Sequence, residues 1–271
     1  MDSFGGRMDC GRGGADAMRI IPPEECNRVY SYLGLDRAFR RCGVGCGVSA
    51  SNAAPAAPTW EAQILALNPL FFYDSDTGTV GSWTDLSADP HHAVQATAAK
   101  RPTIAAAQFG THRGYVFDGS DDFLQASFTL AAQPLEYILV ATLGVMSGGT
   151  SKYYVDGKTD DSALMYYDSG GGMWMHSGGF LNPHLTPPAA GVHIFNCQFN
   201  EASSIFIIDG GTPGTGTSPT ANIAGITIGA GGAGGYAGPM VAGCLIGWGS
   251  ILSPTNRALV ETLAKARYGT P

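Results

Sequence analysis

Charged side chains are scarce in this sequence, and their scarcity excludes several classes of partner. Only 14% of the 271 residues are Asp, Glu, Lys or Arg, and the net charge is −7, whereas about 25% charged residues is typical of soluble proteins. No basic stripe is available for phosphates, so nucleic acid is not expected as a ligand. Disorder is not expected either, because it requires high charge and few aromatic residues.

Long hydrophobic runs are also missing. No segment approaches the roughly 20 apolar residues of a membrane-spanning helix. Residues 1–7 contain no apolar core of the length that a signal peptide needs. The sequence therefore predicts a protein that is made in a cytoplasm and has no membrane span.

The sequence has no Cys-x-x-Cys motif. Cys42 and Cys46, taken with Cys26, have the wrong spacing for the usual zinc site, and no His occurs within the first 90 residues. Free, buried thiols are therefore expected, as in most cytoplasmic proteins.

Glycine is abundant instead, with 39 residues, about twice its usual share of roughly 7%. Short apolar or alternating runs, separated by Gly and Pro, are typical of strands joined by tight turns. They predict a mainly β fold, a two-sheet antiparallel sandwich. The expected strands are Leu70–Asp74, Gly114–Phe117, Phe123–Phe128, Glu136–Val145, Ser162–Tyr167, Met173–His176, Val192–Phe199, Ser203–Asp209, Ile223–Ile228 and Gly238–Ile251.

The run Gly114–Gln125 combines two strands with turn chemistry. Val116 and Phe117 belong to the first strand, and Phe123 begins the second. The residues between them are rich in Asp and Gly, which satisfy backbone amides and adopt positive φ in tight turns. The pattern predicts a β-hairpin.

A C-terminal helix is predicted from its end signals. Ser253 is a natural N-cap, Pro254 suits the first helical position, and Gly269 ends the helix. The stripe expected to pack on the sandwich is Leu259, Leu263 and Ala266.

The first 47 residues differ from the rest and are expected to form a short, partly helical anchoring arm. A helix of that length cannot bury a core alone, so it needs a partner surface. A linker of small residues, 48–59, follows, and residues 60–271 form the β domain. The expected anchoring residues are Val29, Tyr30, Leu33, Leu35 and Phe39.

Three ordered segments resemble laminin-G-like domains of the concanavalin A-like lectin/glucanase superfamily. They are the opening residues Phe72–Pro102, the run Gly114–Gln125, and the closing helix with Leu263–Gly269. The match extends over residues 60 to 269 and is most similar to modules of phage and bacterial proteins. It implies a jelly-roll sandwich but no single function, because this fold contains lectins, glucanases and structural modules.

The resemblance to phage modules implies a virion structural protein, either a capsid decoration protein or a fibre-like projection. Such proteins are usually homo-oligomers, often trimers, so a trimer is favoured. The arm would then bind the major capsid protein or another virion protein, and the β domain would be displayed on the virion surface. A carbohydrate-binding adhesion module outside a virion is the alternative, and a glycoside hydrolase is a third hypothesis.

The resemblance also indicates what a hydrolase would need. Glucanases of the superfamily carry Glu-x-Asp-x-Glu or a near variant on one strand, which brings two carboxylates together. No glutamate of this chain lies in such a pattern, and no Gly-x-Ser-x-Gly elbow occurs. The sequence therefore predicts that the protein is not an enzyme. The six glutamates are Glu24, Glu25, Glu61, Glu136, Glu201 and Glu261.

A carbohydrate site would use exposed aromatic rings that stack on sugar faces, with a few polar groups for orientation. Cell-surface glycans would be the partner. The alternative is that each of these aromatic residues belongs to the core. The candidates are Tyr153, Tyr154, Tyr166, Trp174, His176 and Tyr236.

Calcium is the one cofactor that the sequence suggests. Asp118, Asp121 and Asp122 crowd one turn, and hard cations bind several oxygen ligands. Asp74, Asp76 and the nearby Asp85 are further acids in the opening segment. The alternative is that all of these side chains only cap turns.

Overall fold

The computed structural model of the protein describes residues 57–144, 150–159, 162–179, 181, 184–218 and 222–271. The predicted arm, residues 1–47, lies outside the described residues, and so does the linker up to residue 56. The anchoring function of Val29, Tyr30, Leu33, Leu35 and Phe39 therefore stays a prediction.

The fold is mainly β, as the sequence predicts. Two α-helices occur in the described part of the chain, α1 (Trp60–Leu65) and α2 (Pro254–Tyr268), with a 3₁₀-helix at Ala98–Lys100. The strands are β1 (Phe71–Asp74), β2 (Ser82–Trp83), β3 (Ala93–Val94), β4 (Thr103–Phe109), β5 (His112–Phe117), β6 (Leu124–Ala131), β7 (Leu135–Leu143), β8 (Lys152–Gly157), β9 (Leu164–Tyr167), β10 (Met173–His176), β11 (Val192–Phe199), β12 (Glu201–Ile208), β13 (Gly214–Ser218), β14 (Ile223–Ile228) and β15 (Met240–Trp248).

Two antiparallel sheets form a sandwich. The eight-stranded sheet has the order β13-β12-β11-β7-β15-β5-β4, and β1 also pairs with β15. The seven-stranded sheet has the order β10-β9-β8-β14-β6-β3-β2. All of the strand pairs within these sheets are antiparallel, so the predicted two-sheet sandwich is confirmed.

The main core lies between the sheets and is rich in aromatic rings. Phe71, Tyr73, Trp83, Tyr115 and Phe195 are fully buried there. The rings of Trp83 and Tyr115 stack with their centroids 4.5 Å apart. Each such ring contributes about 1.5–3 kcal/mol through removal of apolar surface from water, which makes this layer the main source of stability.

A second core covers the outer face of the eight-stranded sheet. Ile138, Val140 and Ile246 of the sheet belong to one buried cluster with Val260 and Ala264 of α2. Strands that are apolar on both faces need such a cover, because their outward side chains would otherwise remain in water. The helices therefore close this face of the sandwich.

A buried carboxylate fixes the start of α2 on this face. Glu136 is fully buried; its Oε1 accepts hydrogen bonds from Arg257 Nε at 2.8 Å and Asn196 Nδ2 at 2.6 Å. Its Oε2 accepts from the backbone N–H of Leu252 at 2.8 Å. The charge of Glu136 is thus compensated by Arg257, as a buried ion requires.

The ends of α2 agree with the prediction, but its buried stripe does not. Ser253 Oγ accepts from the backbone N–H of Asn256, and Gly269 has φ of +69°. The buried residues are Val260, Ala264 and Tyr268, whereas Leu259 and Ala266 of the predicted stripe are exposed. Polar contacts at the C-terminal end of α2 determine which face of the helix packs on the sheet. The hydroxyl of Tyr268 donates to Asp74 Oδ2 at 3.1 Å, and Arg267 forms an ion pair with Asp74 at 2.9 Å.

The predicted hairpin at Gly114–Gln125 is wrong. Strand β5 pairs with β4 and β15 in the eight-stranded sheet, whereas β6 pairs with β3 and β14 in the other sheet. The segment 118–123 therefore crosses from one sheet to the other. Six residues are long enough for this, because packed sheets lie only about 10 Å apart. Phe117 and Leu124, at its two ends, both point into the main core.

Cys197 and Cys244 are free and buried, as predicted for the cysteines in general. Burial raises the pKa of both thiols, so neither is a reactive thiolate at neutral pH.

Among the described residues, no helix combines the length and the apolar character that a membrane crossing requires.

Candidate functional site

The strand connections place six described segments at one end of the sandwich, which we call the loop end. They are 95–102, 118–123, 168–172, 184–191, 209–213 and 229–239. In the eight-stranded sheet, Phe117 and Leu143 both lie opposite Met240 at this end. In the seven-stranded sheet, Leu124 lies opposite Ile228. The loop end is thus built from both sheets.

A row of aromatic side chains crosses the outer face of the seven-stranded sheet beside the loop end. Tyr153 of β8 lies opposite Tyr166 of β9, which lies opposite Trp174 of β10. Residues next to them in sequence, such as Tyr167 and Met175, point into the main core. Because side chains alternate between the faces of a strand, Tyr153, Tyr166 and Trp174 point away from the core together.

Two further rings extend this row at its ends. Tyr236 stacks on Tyr153 with the ring centroids 4.9 Å apart and the planes inclined by 26°. His184 packs on Trp174 at 4.9 Å and 30°. We call the set of Tyr236, Tyr153, Tyr166, Trp174 and His184 the aromatic row. The exposure of its members varies, from 6% for Tyr166 to 65% for Tyr236.

The structure brings together most of the residues predicted to bind carbohydrate, but not all. Tyr153, Tyr166, Trp174 and Tyr236 belong to the aromatic row. His176 follows Trp174 by two positions on β10 and therefore points to the same face.

Tyr154 lies apart from the others. It is fully buried in the main core, and its hydroxyl has no hydrogen-bond partner among the described residues. Burial, followed by the nearby Tyr167, raises the pKa of Tyr154. Tyr154 lies where the register of β8 with β9 is irregular, between Tyr153 and Val155, and it packs in the main core together with Val155, so it does not present its ring to a ligand.

A glycine-rich loop, residues 229–239, lies next to the aromatic row and contains Tyr236. The backbone N–H of Gly232 donates to Asp156 Oδ2 at 3.1 Å, and its carbonyl accepts from Gln125 Nε2 at 2.9 Å. The backbone N–H of Tyr153 donates to the carbonyl of Tyr236 at 2.7 Å. Side chains of the sheet thus fix the loop, since the loop has almost no side chains of its own.

Tyr236 has an unusual backbone conformation for its residue type. Its φ is +55°, in the left-handed region that favours glycine. It is also the most exposed of the large hydrophobic residues in the described part of the chain. The left-handed conformation of Tyr236 is accompanied by the stacking of its ring on Tyr153 and by the hydrogen bond from the Tyr153 N–H to its carbonyl.

The three predicted calcium ligands also come together. Carboxylate oxygens of Asp118, Asp121 and Asp122 lie within 4.8 Å of one another. Asp118 Oδ1 accepts from the backbone N–H of Ser120 at 2.8 Å, and Asp122 Oδ2 accepts from the backbone N–H of Asp118 at 3.0 Å. The acids therefore do cap the turn, and a calcium ion bound to the same oxygens stays a prediction. We call these three residues the acidic turn.

The pKa values in the acidic turn move in opposite directions. Burial raises the pKa of Asp122, and the charges of Asp118 and Asp121 raise it further, against the hydrogen bond from the Asp118 N–H. Burial acts on Asp118 too, but hydrogen bonds from the backbone of the turn lower its pKa overall. Repulsion between the three carboxylates is therefore borne mainly by Asp122.

The other acids of the opening segment do not join the acidic turn. Asp85 Oδ1 accepts from the backbone N–H of Phe72, and its Oδ2 accepts from that of His91. Asp74 and Asp76 both form ion pairs with Arg267. These carboxylates stabilise the fold, which agrees with the turn-capping alternative.

A cleft of about 280 Å³ opens at the loop end and was not anticipated from the sequence. It is lined by Leu143, Gly144, Tyr167, Pro187, Pro188, Ala189, Ala190 and His193. His193 Nδ1 lies 2.6 Å from Asp209 Oδ2, and its Nε2 lies 2.8 Å from the carbonyl of Ala189. The sequence signal for this cleft is the succession of two strands, β11 and β12. In an antiparallel pair the first residues of β11, with His193, lie beside the end of β12, next to Asp209.

Comparison with known proteins identifies a fold and no family. No protein-family model matches the sequence, and no curated protein matches it either. A solved structure of Trypanosoma rangeli sialidase in complex with sialic acid superposes with a TM-score of 0.56 at 12% identity, over 80% of this chain and 35% of the sialidase. The botulinum neurotoxin serotype D/C binding domain has a TM-score of 0.55 at 8% identity, over 75% of this chain and 53% of that domain.

These similarities show the fold alone, because the identities are low. The chain spans about a third of the sialidase and about half of the neurotoxin domain. They confirm a β-sandwich but neither the concanavalin A-like superfamily nor a phage origin.

The prediction that the protein is not an enzyme is contradicted by the sialidase structures. Several solved structures of Trypanosoma rangeli sialidase contain a region with this fold, so the sandwich can form part of an enzyme. The missing glucanase carboxylates exclude one catalytic pattern, and that reasoning did not extend to other reactions that proteins with this fold perform.

Proposed function

We propose that this protein binds carbohydrate at the loop end, with the aromatic row as the contact surface. The observation that carries the proposal is the register of β8, β9 and β10, which sets Tyr153, Tyr166 and Trp174 side by side on an outward face. Solved structures with the same fold include a sialidase in complex with sialic acid and a neurotoxin binding domain, which supports the proposal at the level of fold.

The chemistry of the row suits a sugar. A pyranose presents an apolar face of C–H groups, which packs on an aromatic ring, and hydroxyl groups at its edge, which need polar partners. Tyr236 offers the most exposed ring, and its free face points away from Tyr153, on which it stacks. The fixed position of the glycine-rich loop means that little ordering is required when the ligand binds.

The test is a glycan array probed with the full-length protein and with Tyr236→Ala and Trp174→Ala. Loss of one stacking ring is expected to weaken binding about tenfold or more, since such contacts are worth roughly 1–3 kcal/mol. Leu130→Ala is the matched control, because Leu130 is 60% exposed and lies at the end of β6 away from the loop end. Binding that survives both aromatic substitutions would rule out the aromatic row as the site.

We also propose the setting in which this binding operates, the surface of a phage particle. The sequence resemblance to phage modules supports this, and residues 1–47 would provide the attachment to the major capsid protein or another virion protein. Assembly as a homo-oligomer, with a trimer favoured, belongs to the same proposal. A carbohydrate-binding adhesion module outside a virion is the alternative.

Stoichiometry on purified particles separates these settings. Hundreds of copies per particle would indicate a capsid decoration protein, and a few dozen or fewer would indicate a fibre or tail component. Absence from particles would refute the virion proposal and favour the free module. Particles assembled with residues 60–271 alone would show that the arm is not the anchor.

A further inference from the structure

We infer that the glycan recognised at the loop end is neutral rather than anionic, an inference that rests on the proposed function. Of the six segments that define the loop end, only 95–102 contains Lys or Arg, at Lys100 and Arg101. The loop end contains five aspartates, Asp118, Asp121, Asp122, Asp168 and Asp209.

The cation nearest to the aromatic row is already engaged. Lys152 begins β8, directly before Tyr153, and its Nζ donates to the carbonyls of Gly119 at 2.9 Å and Ala237 at 3.1 Å. These bonds join segment 118–123, which contains the acidic turn, to the glycine-rich loop. These two bonds use two of the three N–H donors of the ammonium, so an anionic group on a ligand could use only the third unless Lys152 left one of the carbonyls.

Other cations at this end are distant or paired. The carbonyl of Lys100 accepts from the backbone N–H of Phe123, just before β6. Strand β6 is separated from β8 by β14, so the backbone of Lys100 lies about two strand spacings, roughly 10 Å, from β8. The guanidinium of Arg101 donates to the carbonyls of Gln95 at 2.7 Å and Ala96 at 2.8 Å. Both ring nitrogens of His193 face oxygen atoms of Asp209 and Ala189. Each described Lys or Arg at the loop end is therefore either displaced from the aromatic row or already bonded to backbone carbonyls.

The charge balance also repels anions at a distance. Fields of several like charges add, and at physiological ionic strength they extend over about 8 Å. A sialic acid carboxylate or a sugar sulfate at the aromatic row would meet this field, offset beside the row only by Lys152 among the described Lys and Arg residues. A neutral sugar meets no such penalty, because stacking on a ring does not depend on net charge.

The experiment compares matched glycans on one multivalent array. Each neutral probe, such as N-acetyllactosamine, chito-oligosaccharide or β-glucan, is paired with its sialylated, sulfated or carboxymethylated form at equal density. The buffer contains a chelator and low salt, so that no divalent cation neutralises the acidic turn. We expect the charged member of each bound pair to bind about fivefold or more weakly.

The possible outcomes separate the two proposals. Binding of charged members as strongly as, or more strongly than, their neutral partners would overturn this inference and leave the proposed function intact. Binding of no probe, neutral or charged, would refute the proposed function and this inference with it.

Two further measurements identify electrostatics as the cause of the preference. Raising the salt concentration to about 500 mM should reduce the preference, because screening shortens the range of the field. Asp121→Asn removes one charge from the acidic turn and should reduce the preference at low salt. Asp89→Asn is the matched control, since Asp89 is 96% exposed and lies beside Gly249 at the opposite end. A preference unchanged by salt and by Asp121→Asn would contradict the electrostatic argument.

Discussion

The two outer faces of the sandwich differ in what their outward side chains require. On the eight-stranded sheet, Ile138, Val140 and Ile246 point outward and are buried under α2. On the seven-stranded sheet, the corresponding positions of β8 to β10 hold Tyr153, Tyr166 and Trp174, and no helix covers them in the described part of the chain. One face is thus covered by a helix, and the other carries a row of aromatic rings whose exposure ranges from 6% at Tyr166 to 65% at Tyr236.

The polar groups on the two faces show the same difference. Glu136 on the covered face is fully buried, and it is matched by Arg257, Asn196 and a backbone N–H. On the open face, Asp156 and Gln125 bind the backbone of the glycine-rich loop. Substitutions of buried residues on the covered face should therefore change the free energy of unfolding, whereas substitutions of the exposed rings of the aromatic row should mainly change binding.

The largest effect is expected for Arg257→Ala on the covered face. Its loss leaves the charge of Glu136 buried without its cation, which costs about 3–5 kcal/mol and lowers the melting temperature by about 10 °C. Thermal and urea unfolding measure the change. Lys265→Ala, in the last turn of the same helix, is the control and should change stability by less than about 0.5 kcal/mol. An equal effect of both substitutions would contradict the assigned role of Glu136.

A smaller effect on the same face comes from Val260→Ala. Val260 is fully buried under the helix, so its truncation should cost about 2 kcal/mol through lost burial and a cavity. Leu259→Ala, at a position that is 38% exposed, should cost less than about 0.5 kcal/mol. The order would be reversed if α2 packed through the stripe that the sequence predicted. Glycan binding should be unchanged in both variants.

On the open side, Asp122→Asn should raise stability slightly, by less than about 1 kcal/mol at neutral pH. The pKa of Asp122 is raised in the folded protein, so ionisation of this group opposes folding. That penalty is absent below the ordinary pKa of 3.8 and develops as the pH rises through it. The gain in the free energy of unfolding should therefore appear in unfolding curves at pH 7 and vanish below about pH 3.8.

Calcium gives this prediction a second readout. In chelator, Asp122→Asn should be the more stable protein. If the acidic turn binds calcium, addition of the ion raises the melting temperature of the wild type and not that of the variant. A variant less stable than the wild type in chelator would contradict the repulsion argument.

The smallest effect concerns the backbone of Tyr236. Tyr236→Gly and Tyr236→Ala both remove the ring, so both should weaken glycan binding equally. They differ in the backbone, because Gly adopts a φ of +55° without strain and Ala does not. The Gly variant should be about 0.5–1 kcal/mol more stable than the Ala variant. Equal stabilities would show that the left-handed conformation is not strained.

The sequence was sufficient for the fold class and for the strands with clear patterns. Met173–His176, Val192–Phe199 and Ile223–Ile228 have the predicted bounds, because their apolar residues and flanking turn residues are unambiguous. Strands such as β4 and β13 were missed. The first is rich in Ala and the second consists of Gly, Thr and Ser, and both owe their conformation to a neighbouring strand rather than to propensity.

Other errors arose where tertiary contacts decide. A turn rich in Asp and Gly looks the same whether it joins neighbours in one sheet or crosses between two sheets, so the run Gly114–Gln125 was misinterpreted. Strand β8 (Lys152–Gly157) is absent from the predicted strands, and its adjacent aromatics Tyr153 and Tyr154 are distinguished only by the register with β9. The cleft at His193 depends on Leu143 and Pro187, which are distant in sequence.

The glycine-rich loop has a practical consequence for protein engineering. Its shape depends on Asp156, Gln125 and Tyr153, which are all outside the loop. Gly235 has open space where a Cβ would be placed, whereas a Cβ at Gly234 would lie 2.8 Å from the ring of Phe123. A combinatorial library could therefore vary Gly235 and Tyr236 and keep Gly234. With Asp156, Gln125 and Tyr153 also kept, the library would change the edge of the proposed carbohydrate surface and leave the β-sandwich unchanged.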